Sequence, residues 1–426
     1  MLSIGSERSG LSVVSVAAVV LAAACGGQAV VESAEDGGTG ETGGAGGTGG
    51  TAGTGAMGGT AGMGGTAGMG GTSGMGGTAE TGGTAGTGGS PPPCVDCSAP
   101  PQPPDGAPVG DGPGTVLAVS KMYFGDTDRN GVPSHKAWMA FGYDLDGKKS
   151  SKDSTDHCKV AEGASKTAIQ TDGYDGIDNS YGANIVPILV GLDADFSGRV
   201  NEIIQEGSFT VIVDIDTLGA GTNYVGLPAS LLDGAQAVFP KWDGNDDWSL
   251  HCETMIDCKD AGTLQIAEGN KSAIAFPNSY VADGTWVSGD IGSVEIQVPM
   301  FFMVDPSLQL TTRLRRAVIT MDLDPGAPPT SARNGTIAGV IDTEEFVDKI
   351  RLIAGYISPS LCEGPTMQSV LASVRAASDI MVDGSQDPDQ VCNGISVGYG
   401  FDAKAVKLGA VLDRTPPMED PCEGSP

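Results

Sequence analysis

The chain has 426 residues, and its 53 acidic against 23 basic side chains give a formal net charge of −30. A field of that sign repels nucleic-acid phosphates and anionic lipid headgroups, so nucleic acid is excluded as an expected partner. Glycine fills 27 of the 54 positions in residues 37–90, and the roughly 300 residues from Thr115 onward are enough for a substantial hydrophobic core.

Residues 1–24 have the pattern of an export signal. Arg8 precedes a mostly apolar run from Leu11 to Ala24, which is too short to span a bilayer as a helix. The run ends at Leu21-Ala22-Ala23-Ala24-Cys25, the pattern of a bacterial lipoprotein signal that is cleaved before the cysteine. An ordinary signal peptide cleaved after the alanines is the alternative.

The lipoprotein interpretation predicts an acylated Cys25 at the start of a lipid-anchored segment, residues 25–36. Gly26 stands where an inner-membrane retention signal usually has Asp. We therefore expect a lipid anchor in the outer membrane, with the protein facing the periplasm or the cell exterior.

Residues 37–114 predict a disordered low-complexity linker. Copies of a six-residue Gly/Thr repeat begin at Gly58, Gly64, Gly70 and Gly76, and a period this short without large side chains is typical of a tether. The segment 91–114 is rich in proline and is expected to be stiffer. The linker therefore acts as a spacer before the globular domain.

The nine cysteines fit an oxidising compartment. If Cys25 carries lipid, eight remain, and an even number in an exported chain favours four disulfides. We predict Cys252–Cys258, closing a small acidic loop, and Cys362–Cys392, joining the ends of a helix. The sequence leaves the pairing of four others open: Cys94, Cys97, Cys158 and Cys422.

From residue 115 the pattern mixes strands with a few helices. Strands are predicted at Val116–Phe124, Ala137–Tyr143, Phe209–Ile215, Val294–Val298, Thr312–Leu323 and Ile395–Phe401. Helices are predicted at Asn184–Leu192, Val200–Gln205, Glu344–Ile353 and Thr366–Ser378. The expected fold is α+β, mainly an antiparallel β-sandwich-like arrangement with a few packed helices. It occupies residues 115–422 as one domain or as two packed halves that meet near residue 300.

One helix start is specified in detail. Asp342 precedes Thr343-Glu344-Glu345, which predicts an N-cap with a carboxylate three residues on, as in a capping box. The apolar residues that follow share one helical face, so this helix is expected to pack against the sheet. They are Phe346, Val347, Ile350 and Ile353.

Three blocks carry a resemblance to a known group of proteins. They are Ala137-Trp-Met-Ala-Phe-Gly-Tyr-Asp-Leu-Asp-Gly147, Asp175-Gly-Ile-Asp-Asn-Ser-Tyr-Gly182 and Cys392-Asn-Gly-Ile-Ser-Val-Gly-Tyr-Gly-Phe-Asp402. Behind a Gly/Thr stalk, these blocks resemble uncharacterised secreted lipoproteins of myxobacteria over most of residues 115–422. The resemblance implies an exported, anchored domain and transfers no activity.

Acid-rich loops point to calcium. Asp126, Asp128 and Asn130 match the first half of an EF-hand loop, but Ala137 occupies the twelfth position where a bidentate Glu is needed. A second cluster places Asp172, Asp175, Asp178 and Asn179 within eight residues. We expect these loops to bind Ca²⁺. The alternative is that Asp and Asn serve only as turn and helix caps.

Two tryptophans, Trp242 and Trp248, bracket an acidic segment. Exposed indoles beside carboxylates can hold a sugar ring, so a glycan is one expected partner and another protein is the other. The alternative is that both indoles are buried in a core.

The sequence contains no complete catalytic motif. Gly394-Ile-Ser396-Val-Gly398 matches the nucleophile-elbow string, but His135, His157 and His251 all precede Ser396, so a strand is the preferred interpretation. We expect a non-enzymatic binding or structural envelope lipoprotein. The alternative is a secreted carbohydrate-active hydrolase with paired carboxylates about 5–10 Å apart, for which Glu295 is one candidate.

Overall fold

The computed structural model describes residues 98–252, 255, 272–292, 294–300, 310–357, 361–362, 364–412 and 420–422. The strands are β1 Thr115–Tyr123, β2 Thr210–Ile215, β3 Tyr224–Gln236, β4 Asp247–Leu250, β5 Ile274–Ala282, β6 Thr285–Val287, β7 Val294–Met300, β8 Leu310–Leu323, β9 Ser331–Asp342, β10 Gly394–Ala405 and β11 Lys407–Val411. The α-helices are α1 Lys166–Ile169, α2 Val186–Leu192, α3 Phe196–Gln205, α4 Thr343–Ile357 and α5 Pro365–Ala376. A π-helical turn, Tyr181–Ile185, leads into α2.

Eight of these strands close into an antiparallel barrel. The ring order is β3-β2-β1-β10-β9-β8-β6-β5, and the pairing of β5 with β3 closes it. The predicted mainly antiparallel β fold with a few helices is confirmed, but the sheet curls into one closed layer instead of forming a two-layer sandwich. Closure satisfies the edge hydrogen bonds that an open sheet would expose.

Three strands extend the barrel. β4 pairs with the far end of β3, β11 runs parallel to β4, and β7 pairs with β8. β3 has 13 residues and β8 has 14, and this length lets each pair with strands beyond its two neighbours in the ring. Strands from both sides of residue 300 share the same ring.

Side chains alternate between the two faces of the barrel wall. Leu117 and Val119 of β1 lie in the main core cluster, while Ala118 between them lies in an outer cluster with Trp248. The main cluster also takes in apolar side chains from α2 to α5. The helices therefore complete the same core that the inner strand faces begin.

The outer face of β8 and β9 is also covered. Tyr143 and Leu145 from a loop lie in a buried cluster with Val318, Ala338 and Val340. The Tyr143 hydroxyl lies 2.7 Å from the Thr320 hydroxyl oxygen. A long loop is thus fixed to the outside of the barrel wall.

Most predicted elements are found within one or two residues. One prediction is wrong: Ala137–Tyr143 is not a strand, because Ala137–Ala140 forms a 3-10 helix. The β propensity of aromatic residues such as Trp138 and Phe141 led to the strand prediction, but tertiary packing overrides this propensity here. The sequence patterns did not predict the pairings through β3, β5 and β9.

The predicted start of α4 is confirmed. The Asp342 carboxylate accepts hydrogen bonds from the Glu344 and Glu345 amides at 3.0 and 3.1 Å. The Glu345 side chain pairs with Arg315 at 2.6 Å and does not reach back to the cap. Phe346 and Val347 are buried against the barrel, as the apolar face predicts.

The disulfides correct one prediction. Cys392 pairs with Cys158 rather than with Cys362, and Cys362 pairs with Cys422. Sequence spacing favoured the pair that flanks α5, but β10 brings Cys392 to the loop that carries Cys158. Cys252 is disulfide-bonded; its predicted partner, Cys258, lies outside the described residues, as do Cys25, Cys94 and Cys97.

None of the helices in the described part of the chain combines the length and the apolar character needed to cross a membrane.

Candidate metal centre

Two loops meet on the outside of the barrel wall. The loop that follows the 3-10 helix runs through Tyr143 to Ser150, and the second runs from Asp172 to Ser180. An isolated antiparallel bridge joins Tyr143 to Asp178, whose amide donates to the Tyr143 carbonyl at 3.0 Å. The bridge brings the acidic residues of both loops to one place.

Three carboxylates converge there. One oxygen from each of Asp144, Asp146 and Asp178 lies within 4.8 Å of the others. Asp178 is only 4% exposed, and the other two are half-buried. Among the described residues, this is the one group of three or more His, Cys, Asp or Glu side chains with metal-binding spacing.

Backbone amides hold these carboxylates in place. Asp178 Oδ2 accepts from the Leu145 amide at 2.6 Å and from the Asp146 amide at 3.3 Å. Asp144 Oδ1 accepts from the Gly147 amide at 2.6 Å, where a φ of +77° suits glycine. Asp146 Oδ2 accepts from Gln386 Nε2 at 2.7 Å. The oxygens are therefore oriented by the loop itself, as outer partners orient metal ligands.

The site is electrostatically costly when it is fully ionised. Burial, together with the charges of Asp146, Asp172 and Asp379, raises the pKa of Asp178 well above its usual value. Burial also raises the pKa of Asp144. Close like charges in a desolvated place must either keep protons or share a cation.

Two further acids border the cluster. Burial raises the pKa of Asp172 to about 7, although its carboxylate accepts a short hydrogen bond from the Ser150 amide. Burial likewise raises the pKa of Asp379 to about 7. Asp379 Oδ1 accepts from the Ser396 amide at 2.8 Å, and its Oδ2 accepts from the Ser396 hydroxyl at 2.5 Å.

The structure separates the residues predicted for the second calcium loop. Asp178 belongs to the converging trio, and Asp172 lies beside it. Asp175 is exposed and faces Lys149 at 3.8 Å. Asn179 is buried, and its amide is used by the backbone: Oδ1 accepts from the Gly182 and Gly398 amides at 2.9 and 3.0 Å. We assign Asn179 a structural role, because both its oxygen and its nitrogen have backbone partners.

The first predicted calcium loop is a self-contained turn. Asp128 Oδ1 accepts from the Asn130 amide at 2.8 Å and the Val132 amide at 2.9 Å. Asp126 accepts from the Ser197 hydroxyl at 2.5 Å. These carboxylates are not part of the converging group, and the capping alternative accounts for their contacts.

Sequence reasoning did not single out Asp144 and Asp146 as candidate metal ligands. Asp144-Leu-Asp146-Gly147 has alternate acids followed by a turn glycine, which is the same signal that singled out Asp126 and Asp128. The pattern alone could have found the pair. Only the bridge to Asp178 shows which of the acid-rich loops gains a third carboxylate from elsewhere in the chain.

The tryptophan pair does not form an exposed sugar platform. Trp248 is fully buried, and Trp242 packs on it with ring centroids 5.5 Å apart. The alternative of a core role is therefore the correct one for Trp248, since a buried face cannot stack on a sugar. For Trp248 the prediction of an exposed indole is wrong, because the spacing of two indoles does not specify which way they face.

The contacts among Ser150, His157 and Asp156 resemble those of a Ser-His-Asp catalytic triad. The Ser150 hydroxyl contacts His157 Nε2, and His157 Nδ1 is 3.1 Å from Asp156. However, the Ser150 amide donates to the Asp172 carboxylate. Acyl transfer needs hydrogen-bond donors around the negatively charged oxygen of its intermediate. The Asp172 carboxylate occupies the Ser150 amide and adds negative charge there, so these contacts do not favour catalysis of acyl transfer.

The two remaining candidates for catalytic residues, Ser396 and Glu295, have contacts that structural roles explain. Ser396 is fully buried within β10, which confirms the preferred interpretation of this segment as a strand. Glu295 is exposed on β7 and lies 3.8 Å from Arg313 and 3.9 Å from Arg315. These contacts are typical of a solvated strand residue.

Comparison of the chain with protein families, with curated proteins and with solved structures finds no match. The resemblance to myxobacterial lipoproteins therefore stays a prediction.

Proposed function

We propose that this chain is an outer-membrane lipoprotein, anchored through Cys25, whose barrel domain binds Ca²⁺ at Asp144, Asp146 and Asp178 and acts as a binding or structural protein rather than an enzyme. The observation that carries the proposal is the convergence of three carboxylate oxygens within 4.8 Å around the nearly inaccessible Asp178. The cation fixes two loops to the barrel wall.

The donor set favours a hard divalent cation. All three side chains offer oxygen, and Ca²⁺ takes six to eight oxygen ligands with flexible geometry, whereas Mg²⁺ demands a near-ideal octahedron. Water and backbone carbonyls complete such a shell in proteins. The Lys148 ammonium group does not replace the cation, since it pairs with Asp156 at 2.8 Å.

Calcium also resolves the electrostatic conflict. Without it, burial and the neighbouring acids raise the pKa of Asp178 and so favour its protonated form. With it, the charge of the cation offsets the repulsion among the carboxylates, and protons are released on binding. The cluster is therefore a site where protons and calcium compete.

The envelope assignment has independent support. The disulfides Cys158–Cys392 and Cys362–Cys422 suit an oxidising compartment, and the signal pattern ends at Cys25. Mass spectrometry of the mature N-terminus tests this part. A diacyl or triacyl Cys25 supports the anchor, while an unmodified cysteine or a start downstream of it contradicts it.

Thermal melting tests the calcium part. The full mature chain is melted at pH 7.5 in excess EDTA and in 1–5 mM Ca²⁺, and we expect a higher Tm with Ca²⁺ because a ligand that binds only the folded state stabilises it. Asp178→Asn should abolish the calcium response while keeping the oxygen that accepts from the Leu145 amide. Asp128→Asn is the matched control and should respond like the unmodified chain.

Two results would contradict the calcium site. One is a melting curve that does not change between EDTA and Ca²⁺. The other is a calcium response that persists in Asp178→Asn at full size. Loss of the response in Asp128→Asn instead would move the site to the first predicted loop.

A further inference from the structure

The loop between β3 and β4 displays two adjacent apolar side chains. Phe239 is 89% exposed and Val238 is 77% exposed, the highest values among the large hydrophobic residues that the structure describes. We call residues 238 and 239 the apolar tip. Exposed apolar residues that stand together, unlike single ones, mark interaction sites.

The loop below the tip is held rigidly. The Ala237 amide donates to the Gly207 carbonyl at 2.8 Å. On the other side, the Lys241 and Trp242 amides donate to the Asp246 carboxylate at 2.8 and 2.6 Å. The tip is therefore presented by a fixed base and is not a frayed loop end.

The backbone conformation that exposes the tip is strained. Phe239 has a φ of +50° and Trp242 a φ of +56°, a region that bulky residues rarely occupy. Such strain persists only where the surroundings impose it, and it concentrates at functional positions. Here the surrounding hydrogen bonds impose a conformation that leaves an aromatic ring in water.

The tip is small and ringed by charge. Glu206, Lys241 and Asp243 are exposed in the adjoining segments, so the apolar surface is confined to two side chains. A stable protein interface buries about 800 Å² on each partner, which is far more than two side chains offer. A bilayer surface accepts a small apolar insertion with a polar ring in the headgroup layer.

We propose that Val238 and Phe239 insert into the interface of the lipid bilayer in which the chain is anchored, next to uncharged headgroups. This inference rests on the lipid anchor of the proposed function. By its composition, the Gly/Thr-rich segment 37–90 predicts a flexible coil with a reach of roughly 40 Å. A tether of that length keeps the domain beside the bilayer at about millimolar effective concentration, so a weak insertion suffices.

The charge of the chain limits the lipid class. A net charge of −30 repels anionic headgroups, so the insertion is expected on neutral lipid. Anionic lipid should weaken it, and added salt should restore it by screening.

The experiment uses residues 25–426 with an N-terminal hexahistidine, held on dioleoylphosphatidylcholine vesicles through a nickel-chelating lipid. Phe239→Trp adds a fluorophore at the tip, and brominated phosphatidylcholine quenches indoles that enter the bilayer. We expect at least a third of the added emission to be quenched. Val132→Trp, at a valine that is 57% exposed in another loop, is the matched control and should not be quenched.

Added emission from Phe239→Trp that brominated lipid leaves unchanged would overturn the proposal, as would equal quenching of Val132→Trp. Cross-linking of position 239 to another envelope protein, without quenching, would assign the tip to a protein partner instead. Because the vesicle anchor is artificial, the two proposals fail separately. An unacylated Cys25 in the natural mature protein would refute the lipoprotein assignment, whereas absence of quenching on the vesicles would refute the insertion of the tip.

Discussion

Raising the pH from 5 to 8 in excess EDTA should destabilise the domain through Asp379. Burial raises the pKa of this carboxyl to about 7, against an ordinary value near 3.8, so the folded chain binds a proton that the unfolded chain has released. The stabilising effect is complete below pH 4 and is lost as the pH rises through 7. Across pH 5 to 8 the loss for one such group is about 2–3 kcal/mol.

The size of the melting shift follows from the size of the domain. Unfolding entropy near 60 °C is roughly 2 cal/mol/K per residue, or roughly 0.6 kcal/mol/K for some 300 residues. A loss of about 2–3 kcal/mol therefore lowers the Tm by about 4 °C. Differential scanning fluorimetry across five buffers from pH 5 to 8 measures this shift.

Other groups titrate in the same range, so a variant must isolate Asp379. Burial raises the pKa of Asp172 to about 7 and that of Asp214 to about 6, and both add to the loss. Burial lowers the pKa of His157, which acts in the opposite direction. Asp379→Asn keeps an oxygen for the Ser396 amide and cannot ionise. The Tm of Asp379→Asn relative to that of the unmodified chain should therefore rise by about 4 °C between pH 5 and pH 8.

The exposed Asp383 supplies the control, since its carboxylate accepts from Ser385 and its pKa is lowered. Asp383→Asn should leave the slope between pH 5 and 8 unchanged. Parallel Tm curves for Asp379→Asn and the unmodified chain would refute the assignment of the titration to Asp379.

Three further changes test how the structure is held together. Asn179→Ala leaves the buried Gly182 and Gly398 amides without their acceptor, so urea unfolding should show a loss of about 3–5 kcal/mol; a loss below 1 kcal/mol would contradict the role. Replacing both cysteines of the Cys158–Cys392 disulfide, which spans 234 residues, should lower the free energy of unfolding by about 2–5 kcal/mol. An unchanged urea midpoint would contradict this prediction. Gly207→Ala places a Cβ 2.3 Å from the Ala237 carbonyl oxygen at a φ of +83°, so we expect a loss above about 1 kcal/mol by thermal melting, and an unchanged Tm would show that this contact is absent.

Local signals in the sequence were sufficient for the elements with strong patterns. The cap at Asp342 and the apolar face after it predicted α4, because an N-cap and a helical period act within a few residues. β1, β2, β8 and β10 were found from their β-branched runs for the same reason. Trp138 shows the limit, since its segment forms a 3-10 helix against a tertiary surface that no local pattern describes.

Only some residues of the candidate site could be predicted from the sequence. Asp178 and Asp172 were singled out by density of acids, and the Asp144-Leu-Asp146-Gly147 pattern was present but not distinguishable from the turn at Asp126–Asp128. The Tyr143–Asp178 bridge decides between them, because it joins two buried residues that are 35 positions apart.

The sequence by itself determined the acidic character, the glycine-rich composition of residues 37–90 and the strands and helices with strong local patterns, since composition and short-range periodicity carry that information. Only the tertiary structure decided the closure of β5 on β3, the Cys158–Cys392 pairing and the burial of Trp248. Each of these depends on contacts between distant parts of the chain, and their geometry is set by how the whole barrel packs and not by any local run of residues.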